Sequence, residues 1–264
     1  ASLFLVSLKQ GFILGAVFGS FLDCLIYRIN EEKSILNRSY CLNCKKTLGI
    51  LDLIPVFSYI VLLGKCRYCK SKIQFENFFV EVILGILFSF GYWFFFVSGL
   101  WLHGQLIISF IFYLILVFIL SFIFIYDLKY YLIVDFIVYL GIVLSIIFNL
   151  IMKNNILNIF YGIVLGVIFF GIQYVISKGK WLGSGDILLG VFMGALLGFK
   201  ITIVALLITY FSGAIIGIFL LLSKSKKEKT KLKIPLGPFI SFAMFISFLF
   251  GEQLLNWYIN LLII

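Results

Sequence analysis

The sequence predicts an all-α polytopic membrane protein of about eight transmembrane helices, with a small cysteine-rich insert between the first two. Three observations carry this reading. Apolar residues make up 63% of the chain and charged residues 12%, against roughly half and a quarter in soluble domains. Runs such as 106–126, 131–152 and 201–222 stay apolar over the length of about 20 residues that a bilayer core demands. One segment, 30–77, breaks the pattern with polar and charged residues and four of the five cysteines.

In lipid the backbone has to pair with itself, so the apolar runs are expected as helices. Their near-continuous apolarity, without period-two alternation, argues against an outer-membrane barrel. The candidate spans fall at 3–27, 78–99, 106–126, 131–152, 156–176, 184–198, 201–222 and 237–263. The sixth is short and glycine-rich, and Gly251, Glu252 and Gln253 interrupt the last. The first run has no basic start and no small-residue cleavage site, so it reads as a retained helix and not a cleavable signal peptide. The expected organisation is a first helix at 1–29, the insert at 30–77 and a membrane core at 78–264.

Basic residues orient the chain. Threading the eight spans places 18 of the 21 Lys and Arg residues on one side, in 28–72, 127–130, 177–182 and 223–233. That side is expected to be cytoplasmic. The net charge of +10 is therefore a topological signal and calls for no nucleic acid. Lys224–Lys233, with six lysines, reads as a solvated loop near anionic lipid headgroups.

The insert is too short to build a sufficient core alone. It carries Cys41-Leu-Asn-Cys44 and Cys66-Arg-Tyr-Cys69, two C-x2-C pairs separated by 21 residues. Each pair can grip a metal from one tight turn, and two pairs complete a tetrahedron of thiolates. Disulfides are the alternative, disfavoured on a reducing side. The expectation is structural zinc: four thiolates leave no open position for water. Cys24, in the first span, reads as a small buried apolar residue.

Acidic residues number only 11, so their positions are informative. Asp127, Asp135 and Asp186 fall at the cytoplasmic ends of spans three, four and six, and Glu81 lies near that end of span two. Carboxylates at membrane depth are costly and are functional candidates by default. Taken singly, Asp186 could cap a helix and Asp127 could be a solvated charge beside Lys129. Two carboxylates brought close can share a proton, so that one acts as acid and the other as base. Gly183 and Gly185 would let a backbone or substrate approach Asp186 closely. The only histidine, His103, falls on the far side, which excludes a histidine-based nucleophile system on the cytoplasmic face. There is no G-x-S-x-G elbow and no phosphate-binding glycine loop. A carboxylate-coupled transporter would need charges near the bilayer midplane, and these acids sit at span ends. A non-enzymatic, metal-anchored assembly scaffold is the third reading.

Five segments in order resemble the bacterial type IV prepilin peptidases, membrane aspartic proteases of the Gly-x-Gly-Asp type. They are Gly19-Ser-Phe-Leu-Asp-Cys-Leu-Ile-Tyr-Arg28; the two cysteine pairs with Ile54-Pro55 and Ser58 between them; Tyr126-Asp127 through Asp135; Gly183-Ser-Gly-Asp186; and Ile234-Pro-Leu-Gly-Pro-Phe239. The resemblance implies Asp127 and Asp186 as the catalytic pair, with Asp135, Gly183, Gly185 and Glu81 in support. It implies zinc on Cys41, Cys44, Cys66 and Cys69. It implies cleavage of the basic leader from prepilins or pseudopilins at the cytoplasmic face of the bacterial inner membrane. Methylation of the new N-terminus with S-adenosylmethionine is implied as a second activity.

Overall fold

A computed structural model describes residues 2–34, 37–99, 101, 105–223 and 234–263. His103 and the lysine loop 224–233 lie outside the described residues. The expected architecture is observed: among the described residues the extended elements are all helices, and the β pairing consists of isolated bridges in the insert. The helices are α1 (Ser2–Asn30), α2 (Phe57–Val61), α3 (Phe75–Phe96), α4 (Leu106–Tyr130), α5 (Asp135–Ile151), α6 (Ile156–Ser177), α7 (Ser184–Ser223) and α8 (Gly237–Ile263). Six are long and apolar enough to cross a membrane. The chain is an integral membrane protein. Helix α5 is a shorter apolar helix of 17 residues, about 26 Å long, and α7 is two helices joined at a break, so eight helical segments stand where eight spans are expected.

Two of the span starts differ from expectation by more than two residues. The second span begins at Phe75 and not at 78, because Gln74 is extended and Glu76 joins the first turn of the helix. The fourth begins at Asp135 and not at 131: Tyr131 takes φ 57° and Val134 is extended. Helix α4 correspondingly runs on to Tyr130, which puts Asp127 in its last turn.

The chain forms two compact units, 1–118 and 119–264. In the first, α1 and α3 pack closely and antiparallel. Gly11, Gly15 and Gly19 recur every four residues and so share one helix face. They abut Ser89, Leu84–Gly85 and Glu81 respectively. A Cβ on Gly15 would collide with the Leu84 carbonyl. Small residues let backbones approach, and that packing drives association where lipid is as apolar as leucine.

The second unit uses the same device. Gly162 and Gly166 of α6 meet Gly194 and Gly190 of α7, again antiparallel. Gly198 then takes φ 70° and ψ 176°, which breaks α7 into arms 184–197 and 199–223. Along the second arm, Phe199 meets Asn158 and Tyr210 meets Gln173, so this arm runs parallel to α6. The two arms are therefore antiparallel to each other. The break leaves carbonyls and an N–H without helical partners. Asn149 donates its buried amide to the Ala195 and Leu196 carbonyls at 3.0 and 3.2 Å, and Asn158 Oδ1 accepts from the Phe199 N–H at 3.1 Å. Each asparagine thereby satisfies backbone groups that lipid could not.

Candidate aspartate site and cysteine centre

Helix N-termini hold both aspartates. Asp186 is the third residue of α7, and its Oδ2 accepts from the Gly183 N–H at 2.9 Å. This is the reach-back half of a capping box. Asp127 Oδ2 accepts from the N–H of Gly237, the first residue of α8, at 2.9 Å. A helix start offers unpaired N–H groups and the positive end of its dipole, so each carboxylate meets a fixed donor. Asp127 and Asp186 are 5% and 8% exposed, and they lie within electrostatic reach of each other. A carboxylate pair so buried and so placed can exchange protons with whatever sits between them.

Glycines make this closeness sterically feasible. A Cβ on Gly237 would collide with Asp127 Oδ2, and one on Gly185 would press against Ile133 at 2.9 Å. The Gly185–Ile133 contact draws the turn after α4 against the start of α7, which brings Asp127 towards Asp186. At Gly183 an added Cβ would meet Asp186 Oδ2 at 3.8 Å, an ordinary contact without a clash. Asp135 is exposed at the start of α5 and is not brought to the pair by any contact described.

Tyr210 and Gln173 are polar residues that sequence reasoning missed. The Tyr210 hydroxyl donates to Gln173 Oε1 at 2.7 Å, and the Tyr210 ring meets Phe169 edge-on at 5.5 Å. The hairpin register puts both Asp186 and Tyr210 twelve residues from Gly198, hence at equal depth on antiparallel arms. Tyr210 feels the Asp186 charge accordingly. A polar residue at equal distance from a glycine break is the signal that would have found it.

The cysteine centre lies in the first unit. The Sγ atoms of Cys41, Cys44, Cys66 and Cys69 all fall within 4.8 Å of one another. A tetrahedral zinc with bonds of about 2.3 Å sets its sulfurs about 3.8 Å apart, and Cys41 and Cys69 stand at 3.8 Å. All five cysteines are free of disulfides. The donor set therefore fits zinc. The two knuckles repeat one design: bridges Tyr40–Thr47 and Lys65–Lys72 close them, and Lys45 and Lys70 turn left-handed after the second cysteine of each. Ser71, by hydrogen bonding to Cys69 at 3.1 Å, holds that thiol down to about 6.

Glu81 belongs to the first unit. It is half-buried in α3, and its Oε2 accepts from the Val56 backbone N–H at 2.6 Å. It ties the insert to a membrane-spanning helix. Val56 has φ 63°, a costly conformation for a β-branched residue, and the bond to Glu81 helps hold it there.

Two family models match the chain: the bacterial peptidase A24 N-terminal domain over residues 13–95 and the type IV leader peptidase family over residues 114–218. Several proteins named prepilin leader peptidase/N-methyltransferase are similar along nearly their whole length. The one from Legionella pneumophila is 27% identical, covering 92% of this chain and 91% of its own. The one from Bacillus subtilis (strain 168) is 26% identical, covering 95% and 97%. A Vibrio cholerae relative is 35% identical over 91 residues, 31% of this chain and 36% of its own. No solved structure matches the chain significantly. With both domains present in order and relatives aligned end to end, the chain belongs to the type IV leader peptidase family.

Proposed function

We propose that this protein cleaves the leader from prepilins or pseudopilins at the cytoplasmic face of the bacterial inner membrane, with Asp127 and Asp186 as its catalytic pair. The observation that carries this reading is the pairing itself: two buried carboxylates, 59 residues apart in sequence, each held by a glycine N–H at a helix start. The names of the relatives support the substrate class. The basic loops support the orientation, since both aspartates lie at the span ends that those loops join.

In each aspartate Oδ2 is held by backbone, which leaves the other oxygen for water and substrate. One carboxylate, ionised, takes a proton from a water lying between the pair, and the water oxygen bonds to the scissile carbonyl carbon. The other, protonated, gives its proton to the carbonyl oxygen. Collapse of the tetrahedral adduct breaks the C–N bond, and the departing amine takes up a proton. A low-dielectric site strengthens each of these interactions.

Cys41, Cys44, Cys66 and Cys69 would hold zinc, which would fix the fold of the insert. The N-methyltransferase half of the relatives' name supports a second activity here, methylation of the newly exposed amine. S-adenosylmethionine would supply that methyl group.

Asp127→Asn and Asp186→Asn test the pair. Each is expected to abolish leader cleavage in membranes while the chain still inserts and keeps its zinc. Full cleavage by either variant would overturn the assignment.

A further inference from the structure

Between the two knuckles the chain presents apolar side chains that the protein leaves uncovered. Ile50 and Leu63 are 83% and 81% exposed, and Leu51, Phe57, Ile60 and Val61 are all more than half exposed. A single exposed apolar side chain is ordinary. Six within fourteen residues make a patch that marks a binding surface.

The patch is built, not slack. Ile50–Asp52 form a 3-10 turn, and Asp52 Oδ2 accepts from the Gly49 N–H at 3.1 Å. Arg67 grips Asp52 Oδ1 at 2.6 Å. Burial pushes the Asp52 carboxyl up, but Arg67 and Gly49 outweigh it and hold the group below the usual carboxylate range. Tyr59 of α2 packs on Phe78 of α3 with ring centroids 5.0 Å apart.

Its depth follows from Glu81. Val56 is bonded to Glu81, which lies six residues beyond Phe75, the first residue of membrane-spanning α3. At 1.5 Å per residue the Glu81 backbone lies about 9 Å past the point where that helix starts, and its side chain leans back toward that start, so Val56 sits alongside the first turns of α3. The uncovered side chains flank Val56 and so stand beside the first turns of a helix apolar enough to cross a membrane. The rim of the patch is basic: Lys45, Lys46, Lys65, Lys70 and Lys72 stand on the knuckles, and the one acid within 40–72, Asp52, is neutralised by Arg67.

We infer that segment 50–63 is a monotopic foot that dips into an anionic lipid leaflet, with the two cysteine knuckles resting on the headgroups. Apolar area below and lysines above are what interfacial anchoring requires. A basic peptide does not suit the same surface, because the lysine rim would repel it. The inference is independent of the aspartate pair.

The test uses the full zinc-loaded chain in nanodiscs of mixed phosphatidylcholine and phosphatidylglycerol. Ile50→Trp and Leu63→Trp are read as difference emission against the unsubstituted chain, with and without bromine on the acyl chains. Quenching of about half the added emission is expected, whereas Lys45→Trp, on a knuckle, should respond little. Added tryptophans that ignore acyl bromine while zinc content is unchanged would overturn the inference. The unsubstituted chain gives a second reading. An acyl-chain photoprobe on phosphatidylglycerol should label 50–63 as well as α3. Labelling of α3 without any of 50–63 would equally refute it.

Discussion

The cysteine centre takes its four ligands from two knuckles of one design, 40–47 and 65–72, each closed by its own bridge. The aspartate site takes its parts from the end of α4, the start of α7 and the start of α8, and the bond from Gly237 to Asp127 spans 110 residues. In the first region geometry is local, and a bound ion would supply the remaining link. In the second, geometry comes from helix packing, and a glycine backbone supplies the contact. The first should therefore fail when one ion is lost, and the second when one methyl group is gained.

Zinc removal should show the largest effect. Structural zinc contributes apparent binding energies of about 10–16 kcal/mol in small modules. Chelation, or Cys41→Ser, is expected to abolish amide-exchange protection across 40–72 while leaving 184–197 protected. Equal protection with and without metal would break the contrast. Next comes Gly237→Ala, whose added Cβ collides with Asp127 Oδ2. Leader cleavage should fall about 100-fold, with zinc content and amide exchange of the insert unchanged. Tyr210→Phe removes only a hydroxyl beside Asp186. A fall in kcat of about tenfold with KM unchanged is expected if that hydroxyl positions the pair; an equal change in KM would assign it to substrate binding instead. Asp52→Asn is the smallest. Arg67 is half-exposed, so the pair contributes about 0.5 kcal/mol. Because the folded carboxyl is held low, that contribution is present above the ordinary Asp range and is lost as pH falls through the folded value. Thermal melts of the zinc-loaded chain near neutral pH and in acid should show the variant's deficit only in the former.

The same contrast governs what the amino-acid sequence discloses. The knuckles are legible because C-x2-C spacing is itself the geometry of the ligands. The spans are legible because lipid demands length and apolarity, and both are read directly from composition. Asp127 and Asp186 stand out as charges in apolar runs. The donor from Gly237 is not legible, because nothing in 234–239 encodes its distance to α4. Tyr210 was hidden for a related reason: its depth is fixed only once Gly198 turns the chain and the α6 glycines set the register. The start of α5 lies four residues past the expected 131, because Tyr131 and Leu132 are apolar enough to pass for membrane residues, whereas the left-handed backbone at Tyr131 ends the preceding helix.

The turn at Gly198 has a consequence for how the chain enters the membrane. It reverses direction within one residue, and two asparagines from neighbouring helices close both cut ends. No loop hangs from that end of the hairpin, so there is nothing there for a protease to grip and no place for an inserted tag. The two arms should therefore sit in lipid as a single helical hairpin, sealed by the helices beside it. A chain halted near residue 198 would present a lone helix whose cut end lacks its seal.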